Sequence, residues 1–178
     1  MTEEGRSAGE WRPYASTGDA AQDAAVALER LRARGWTLGI AESLTGGMLA
    51  AALISVPGAS ATVRGAIVAY ATPLKHSLLG VDAALLAEHG AVHPEVARQM
   101  ADGVRRAVAI DGRPAEVGIA TTGIAGPDSP DGQPVGTVHI GMSTPDDSRV
   151  LTLQLNGDRA TIRSESVSFA LGALLSIV

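Results

Sequence analysis

A short apolar run, Trp36-Thr37-Leu38-Gly39-Ile40-Ala41, ends on Glu42-Ser43-Leu44-Thr45-Gly46-Gly47, and an apolar helical pattern from Met48 to Ile54 begins at once. A chain patterned this way has to fold as strand, tight turn and helix. That arrangement exposes Ser43 at the carboxyl end of a strand, beside helix-start amides open to an anion. The same residues also suit an ordinary helix cap, with Gly46-Gly47 serving only close helix–strand packing. The stretch is not a known phosphate fingerprint, because it has neither Gly-x-x-x-x-Gly-Lys-Ser/Thr nor Gly-x-Gly-x-x-Gly. It also lacks the Gly-x-Ser-x-Gly elbow of α/β-hydrolases.

The rest of the chain extends that strand–helix alternation. Residues 1 to about 19 are polar and aperiodic and read as a flexible tail in which Trp11 and Tyr14 have no assigned place. Asp19 or Asp23 caps a first helix that runs to about Arg34 and is closed by Gly35. The pattern predicts a strand at 36–41, a helix at 45–55, a turn at 57–60 and a buried strand at 66–70. Helices follow at about 73–79, 82–88 and 94–108, the last with Pro94 in its first turn after His93. A strand at 117–121 enters Thr122-Gly123-Ile124-Ala125-Gly126-Pro127, and 128–134 is a polar loop. Strands at about 135–143 and 149–155 form a hairpin around Pro145-Asp146-Asp147, and Gly157-Asp158-Arg159 opens a last helix to about Ile177. The expectation is one α/β domain over 20–178, a three-layer α/β/α sandwich with a mixed sheet.

Composition removes several function classes. The 178 residues include no cysteine, so disulfides, thiolate metal sites and a cysteine nucleophile are excluded, and a hydroxyl becomes the leading candidate for covalent chemistry. The net charge of −5 argues against a general nucleic-acid binder. The N-terminus lacks the apolar core of a signal peptide, and the longest apolar stretch, Phe169 to Val178, is shorter than the ~20 residues that span a bilayer. A soluble cytoplasmic protein without membrane contact is expected. The apolar C-terminal helix, Val167 to Val178, either completes the core or packs against a second subunit, and a homo-oligomer is expected.

Three further segments carry chemistry. In Tyr70-Ala71-Thr72-Pro73-Leu74-Lys75, a lysine follows the end of an apolar strand by about one helical turn. A serine hydroxyl needs a base, and an amine serves when burial or nearby positive charge favours its neutral form. A surface lysine lying over apolar neighbours and a core tyrosine are the plain alternatives. Small residues at Thr121-Thr122-Gly123-Ile124-Ala125-Gly126 leave backbone amides uncovered for an oxyanion or a phosphate, as they also do in a plain turn. Arg159, with Arg163 one turn later, sits at a helix start, where a cation opposes the dipole unless an anion or an ion pair holds it. His89 and His93 are separated by Gly90 and followed by Pro94, and His76 and His139 have no ligand-spaced partners, so neither a metal site nor a histidine-based serine triad is expected.

Taken together these segments resemble the CinA C-terminal domain family, whose characterised enzymes are nicotinamide-nucleotide amidases. The resemblance runs from about Ala24 to the C-terminus through seven separated motifs in order: Ala41–Gly47, Pro57–Ser60, Tyr70–Val81, Gly90–His93, Thr122–Pro127, Pro134–Val138, and Gly157–Arg159. It implies hydrolysis of the carboxamide of nicotinamide mononucleotide to nicotinate mononucleotide and ammonia, with no metal or redox cofactor. Ser43 then matches the nucleophile, Lys75 the general base and Arg159 a substrate-binding arginine. Tyr70 and the Thr122-Gly123 turn line the same pocket, and amides near Thr45-Gly46-Gly47 or Thr122-Gly123 hold the oxyanion or the phosphate. Thr72 stands where the family often has asparagine; it can still cap the helix before Pro73, but loses an amide contact to substrate. A catalytically silent nucleotide-binding or partner-binding module, and an amidase for another carboxamide, are the alternatives.

Overall fold

In a computed structural model, which describes residues 17–129 and 132–178, the chain forms five strands and six helices. The first sixteen residues, with Trp11 and Tyr14, lie outside the described part, and so do 130 and 131 of the polar loop. Helix α1 spans Ala20–Ala33, capped by the Asp19 carboxylate, which accepts from the amides of Ala21 and Gln22. Strand β1 (Leu38–Glu42), helix α2 (Met48–Ile54) and strand β2 (Val63–Val68) follow. Then come α3 (Thr72–Leu79), α4 (Ala83–His89), α5 (Pro94–Ala107) and β3 (Val117–Gly123). The hairpin of β4 (Thr137–Ser143) and β5 (Ser148–Gln154) leads into α6 (Arg159–Leu175).

The sheet order is β2-β1-β3-β4-β5, with β2, β1 and β3 parallel and the hairpin antiparallel. It is the expected mixed sheet between two helical layers. Leu38 and Ile40 of β1, Val117 and Ile119 of β3, and Val138, Ile140 and Met142 of β4 point to one face, where α1, α2 and α6 bury them. Residues between them, including Ala41 and Ala120, meet α3, α4 and α5 on the other face. The chain leaves β1 for β2 on one side and returns to β3 on the other, so a crevice opens at the carboxyl ends of β1 and β3.

Three local expectations shift. Strand β2 starts at Val63, ends at Val68 and is a half-exposed sheet edge rather than a buried strand at 66–70. Helix α2 starts at Met48, not at 45, because Gly46 (φ 59°) and Gly47 (φ 97°) spend those positions on a left-handed turn. Thr72 opens α3 without capping it; Ala71 holds the cap position and no side chain bonds there.

The α5 layer sits unusually close to the sheet. A Cβ built on Gly141, Gly118 or Gly39 would meet the carbonyl oxygens of Ala97 (2.1 Å), Ala101 (1.9 Å) or Val104 (3.1 Å), which lie along one face of α5. On the same helix, a Cβ on Gly103 would fall 1.7 Å from the Leu79 carbonyl oxygen at the end of α3. Glycines therefore set the height of α5 on the sheet and of α3 on α5. Gly118→Ala is expected to cost about 3 kcal/mol or more, since backbone must move to admit the methyl. Gly65→Ala, whose nearest neighbour is a Val108 methyl at 3.3 Å, should cost less. Urea unfolding of the two variants checks the order.

Candidate active site

Ser43 is the first residue past β1, and its amide still donates to the Thr121 carbonyl at 3.0 Å, extending the β1–β3 pairing by one bond. That bond holds the nucleophile candidate rigidly against the end of β3. Lys75 enters from α3 with no exposed surface. Its Nζ donates to Ser43 Oγ at 3.1 Å and to the Ala69 carbonyl oxygen at 2.7 Å. The two residues are 32 apart in sequence and meet only because α3 packs down onto α5.

Both line a cleft of about 200 Å³ at the carboxyl ends of β1 and β3. Tyr70, Thr72, Thr122, Gly123 and Arg159, expected at the site, are also on its walls. Tyr70 is 61% exposed at the rim, not a core aromatic, and its hydroxyl accepts from Arg159 Nη2 at 3.2 Å. Arg159 Nη1 donates to the Gly126 carbonyl at 2.8 Å, which ties α6 to the 123–127 turn. Thr122 is buried and donates its hydroxyl proton to the Ala91 carbonyl at 2.7 Å. At the start of α6, the Thr161 amide and hydroxyl hold the Asp158 carboxyl below its usual range.

Thr45, Gly46 and Gly47 are not brought to the cleft walls. The Thr45 hydroxyl pairs with that of Thr121 at 2.8 Å in full burial. The Gly46 amide donates to the Ser43 carbonyl at 3.1 Å. The helix-start amides are closed to an outside anion, because the fully buried Glu42 carboxylate accepts from Gly47 (2.9 Å), Leu49 (3.2 Å) and Ala50 (2.8 Å). Gly47 at the cap position has no side chain to do this, so the residue at the strand's end caps the helix instead. Glu42 was readable only as a neighbour of Ser43; nothing in local spacing marks a cap six residues ahead of its helix.

The profile of the CinA C-terminal domain matches residues 20–178. The chain belongs to that family. A CinA-like protein of Frankia casuarinae is 50% identical over 146 residues, which is 82% of this chain and 33% of that protein. A CinA-like protein of Gloeobacter violaceus is 46% identical over 164 residues, 90% of this chain and 37% of that protein. The chain thus spans about a third of the length of these relatives. Among solved structures, a competence-damaged protein (CinA) superfamily protein of Escherichia coli superposes with a TM-score of 0.85 at 32% identity, covering 92% of this chain and 93% of that one. The competence/damage inducible protein CihA of Agrobacterium tumefaciens gives 0.82 at 31%, with 92% and 98% covered.

Within this CinA domain the cleft wall also includes Leu44 beside Ser43, Ala91 and Val92, and Asp128 at the rim, none of which the sequence marked as a site residue. A residue count adds a signal for Lys75 as the candidate base, since it is the only lysine in the chain. None of the four histidines lines the cleft; His93 caps α5 by accepting from the Glu95 amide, and His139 Nδ1 lies 2.9 Å from Thr152 Oγ1. Among the described residues no group of three or more His, Asp or Glu is placed to hold a metal ion, and no helix is long and apolar enough to cross a membrane. Removing the internal cap should cost stability: Glu42→Ala is expected to lower the unfolding free energy by about 2–3 kcal/mol, with Glu42→Gln losing less. Chemical denaturation monitored by circular dichroism measures both, and an unchanged midpoint for Glu42→Ala would show that the carboxylate does not stabilise the turn.

Proposed function

We propose that the domain is a serine–lysine amidohydrolase that hydrolyses the carboxamide of nicotinamide mononucleotide to nicotinate mononucleotide and ammonia. The observation that carries the reaction type is the 3.1 Å contact between Lys75 Nζ, fully buried, and Ser43 Oγ on the cleft wall. Removal from water favours the uncharged form of an amine, which is what a lysine base requires. The substrate follows from the resemblance to characterised family enzymes. The cleft supports it with room for a ring-sized group beside the dyad and a cationic rim at Arg159 for a phosphate.

In this mechanism Ser43 Oγ attacks the carboxamide carbon while its proton passes to Lys75 Nζ. The carbonyl oxygen becomes an oxyanion held by backbone amides. The C–N bond then breaks as Lys75 returns the proton to the departing nitrogen, releasing ammonia and leaving Ser43 esterified. Water, deprotonated by Lys75, attacks the ester carbon and frees the nicotinate carboxylate and the Ser43 hydroxyl. No electron leaves or enters the system, so the cycle balances on water alone. Of the candidate oxyanion donors, Gly46 and Gly47 are already bonded within the turn. The amides of Leu44 and Ala125, both on the cleft wall, have no acceptor among the described residues and take this role.

Purified protein should release ammonia from nicotinamide mononucleotide, and Ser43→Ala and Lys75→Ala should each lower kcat by about a hundredfold or more. Turnover that survives Ser43→Ala excludes the covalent route, and calorimetric binding without turnover marks a silent module instead. Because Lys75 is the sole lysine, lysine-selective isotope labelling gives one side-chain amine signal whose titration reads this residue directly. An amine that stays charged throughout the pH range of activity would argue against its role as base.

A further inference from the structure

Arg163 lies one helical turn beyond Arg159 on α6, yet it is not part of the cleft wall. Its guanidinium turns to the back of the nucleophile turn. Nε donates to the Leu44 carbonyl oxygen at 2.8 Å, and Nη2 to that of Thr45 at 3.1 Å. A Cβ on Gly46 would lie 3.3 Å from the same Nη2, so the glycine admits the guanidinium as well as the left-handed turn.

Those two bonds fix consecutive peptide planes, because a planar trans peptide points its N–H away from its own C=O. With the Thr45 carbonyl held by Arg163, the Gly46 amide is turned to the Ser43 carbonyl, which it reaches at 3.1 Å. With the Ser43 carbonyl thus engaged, the Leu44 N–H must face the opposite side. It has no acceptor among the described residues, and Leu44 is on the cleft wall next to Ser43.

We infer that Arg163 is a positioning residue for the reaction, holding the turn whose Ser43–Leu44 peptide presents the Leu44 N–H to the oxyanion. The inference rests on the reading of Ser43 as a nucleophile, and not on the identity of the substrate. It separates the two arginines of α6 by role: Arg159 faces the cleft and meets substrate, whereas Arg163 works through the backbone of residues 43–46. A guanidinium suits the task because its fork reaches two carbonyls at once, which a lysine ammonium does less well.

The test uses the full chain as wild type, Arg163→Ala, Arg163→Lys and Ser43→Ala. Turnover is measured on nicotinamide mononucleotide and on its phosphate-free riboside, alongside the rate of covalent labelling by a fluorophosphonate. In labelling, the Ser43 Oγ–P bond forms, the P–F bond breaks, fluoride leaves and the hydroxyl proton passes to Lys75. Arg163→Ala should slow both labelling and kcat by about tenfold to a hundredfold, the usual consequence of a misplaced reacting group. KM should be unchanged, and the factor should be the same with and without the phosphate. Arg163→Lys should fall between wild type and alanine, and it carries the test if the alanine variant unfolds. Labelling at the wild-type rate in both variants overturns the inference, as does a loss confined to KM for the phosphorylated substrate, which would make Arg163 a phosphate ligand. A wild type that labels at Ser43 but leaves the mononucleotide intact overturns only the substrate reading, and the labelling rates still decide the role of Arg163. A wild type that neither labels nor turns over overturns the nucleophile and this inference together.

Discussion

Along one face of α5 the backbone carbonyl oxygens of Ala97, Ala101 and Val104 rest on glycines of β1, β3 and β4, and the geometry of the cleft depends on that contact. The Cβ positions of Gly118 and Gly141 would lie about 2 Å from helix carbonyls, so no other residue type leaves α5 where it is. A second close approach, Gly103 against the Leu79 carbonyl, then sets α3 on α5. Lys75 is one turn before Leu79 on α3. The distance from its amine to Ser43 is therefore the end of a stack of backbone contacts, not of a flexible loop. A base delivered by rigid elements stays in hydrogen-bond range without the entropic cost of ordering a long side chain at the moment of reaction.

The turn that carries Ser43 is stabilised from inside the protein by opposite charges on its two sides. The Glu42 carboxylate takes the amides at the start of α2, and the Arg163 guanidinium takes the carbonyls of Leu44 and Thr45. A strand–turn–helix of this kind usually offers its helix start to a phosphate. Here that position is filled internally, and the proposed reaction therefore assigns an anionic substrate group to the cation at the opposite rim, Arg159. In the proposed reaction the developing charge falls to the Leu44 and Ala125 amides, which remain open on the cleft wall.

Most strands and helices were legible because hydrophobic periodicity and turn residues report burial directly. The hairpin at Pro145-Asp146-Asp147 and the proline-started α5 emerged where the pattern put them. The misses have a common cause. Strand β2 is as apolar as a buried strand, but its position at the sheet edge is a property of strand order. Thr45-Gly46-Gly47 looked like an anion cradle because composition shows which amides exist and not which are already bonded. Tyr70 followed an apolar run and proved exposed, since the chain leaves the sheet two residues earlier.

The sequence by itself determined the alternation of strands and helices, the serine at a strand's end, the absence of thiol chemistry and, through seven ordered motifs, the family. Each of these is written in local residue order, where period, turn chemistry and spacing act. Tertiary structure alone decided that Lys75 is buried against Ser43, that Glu42 closes the helix start, and that Arg163 grips the turn from α6. Those contacts join residues up to 119 apart in the chain, and they exist only because packing on both faces of the sheet brings α2, α3 and α6 to the end of one strand.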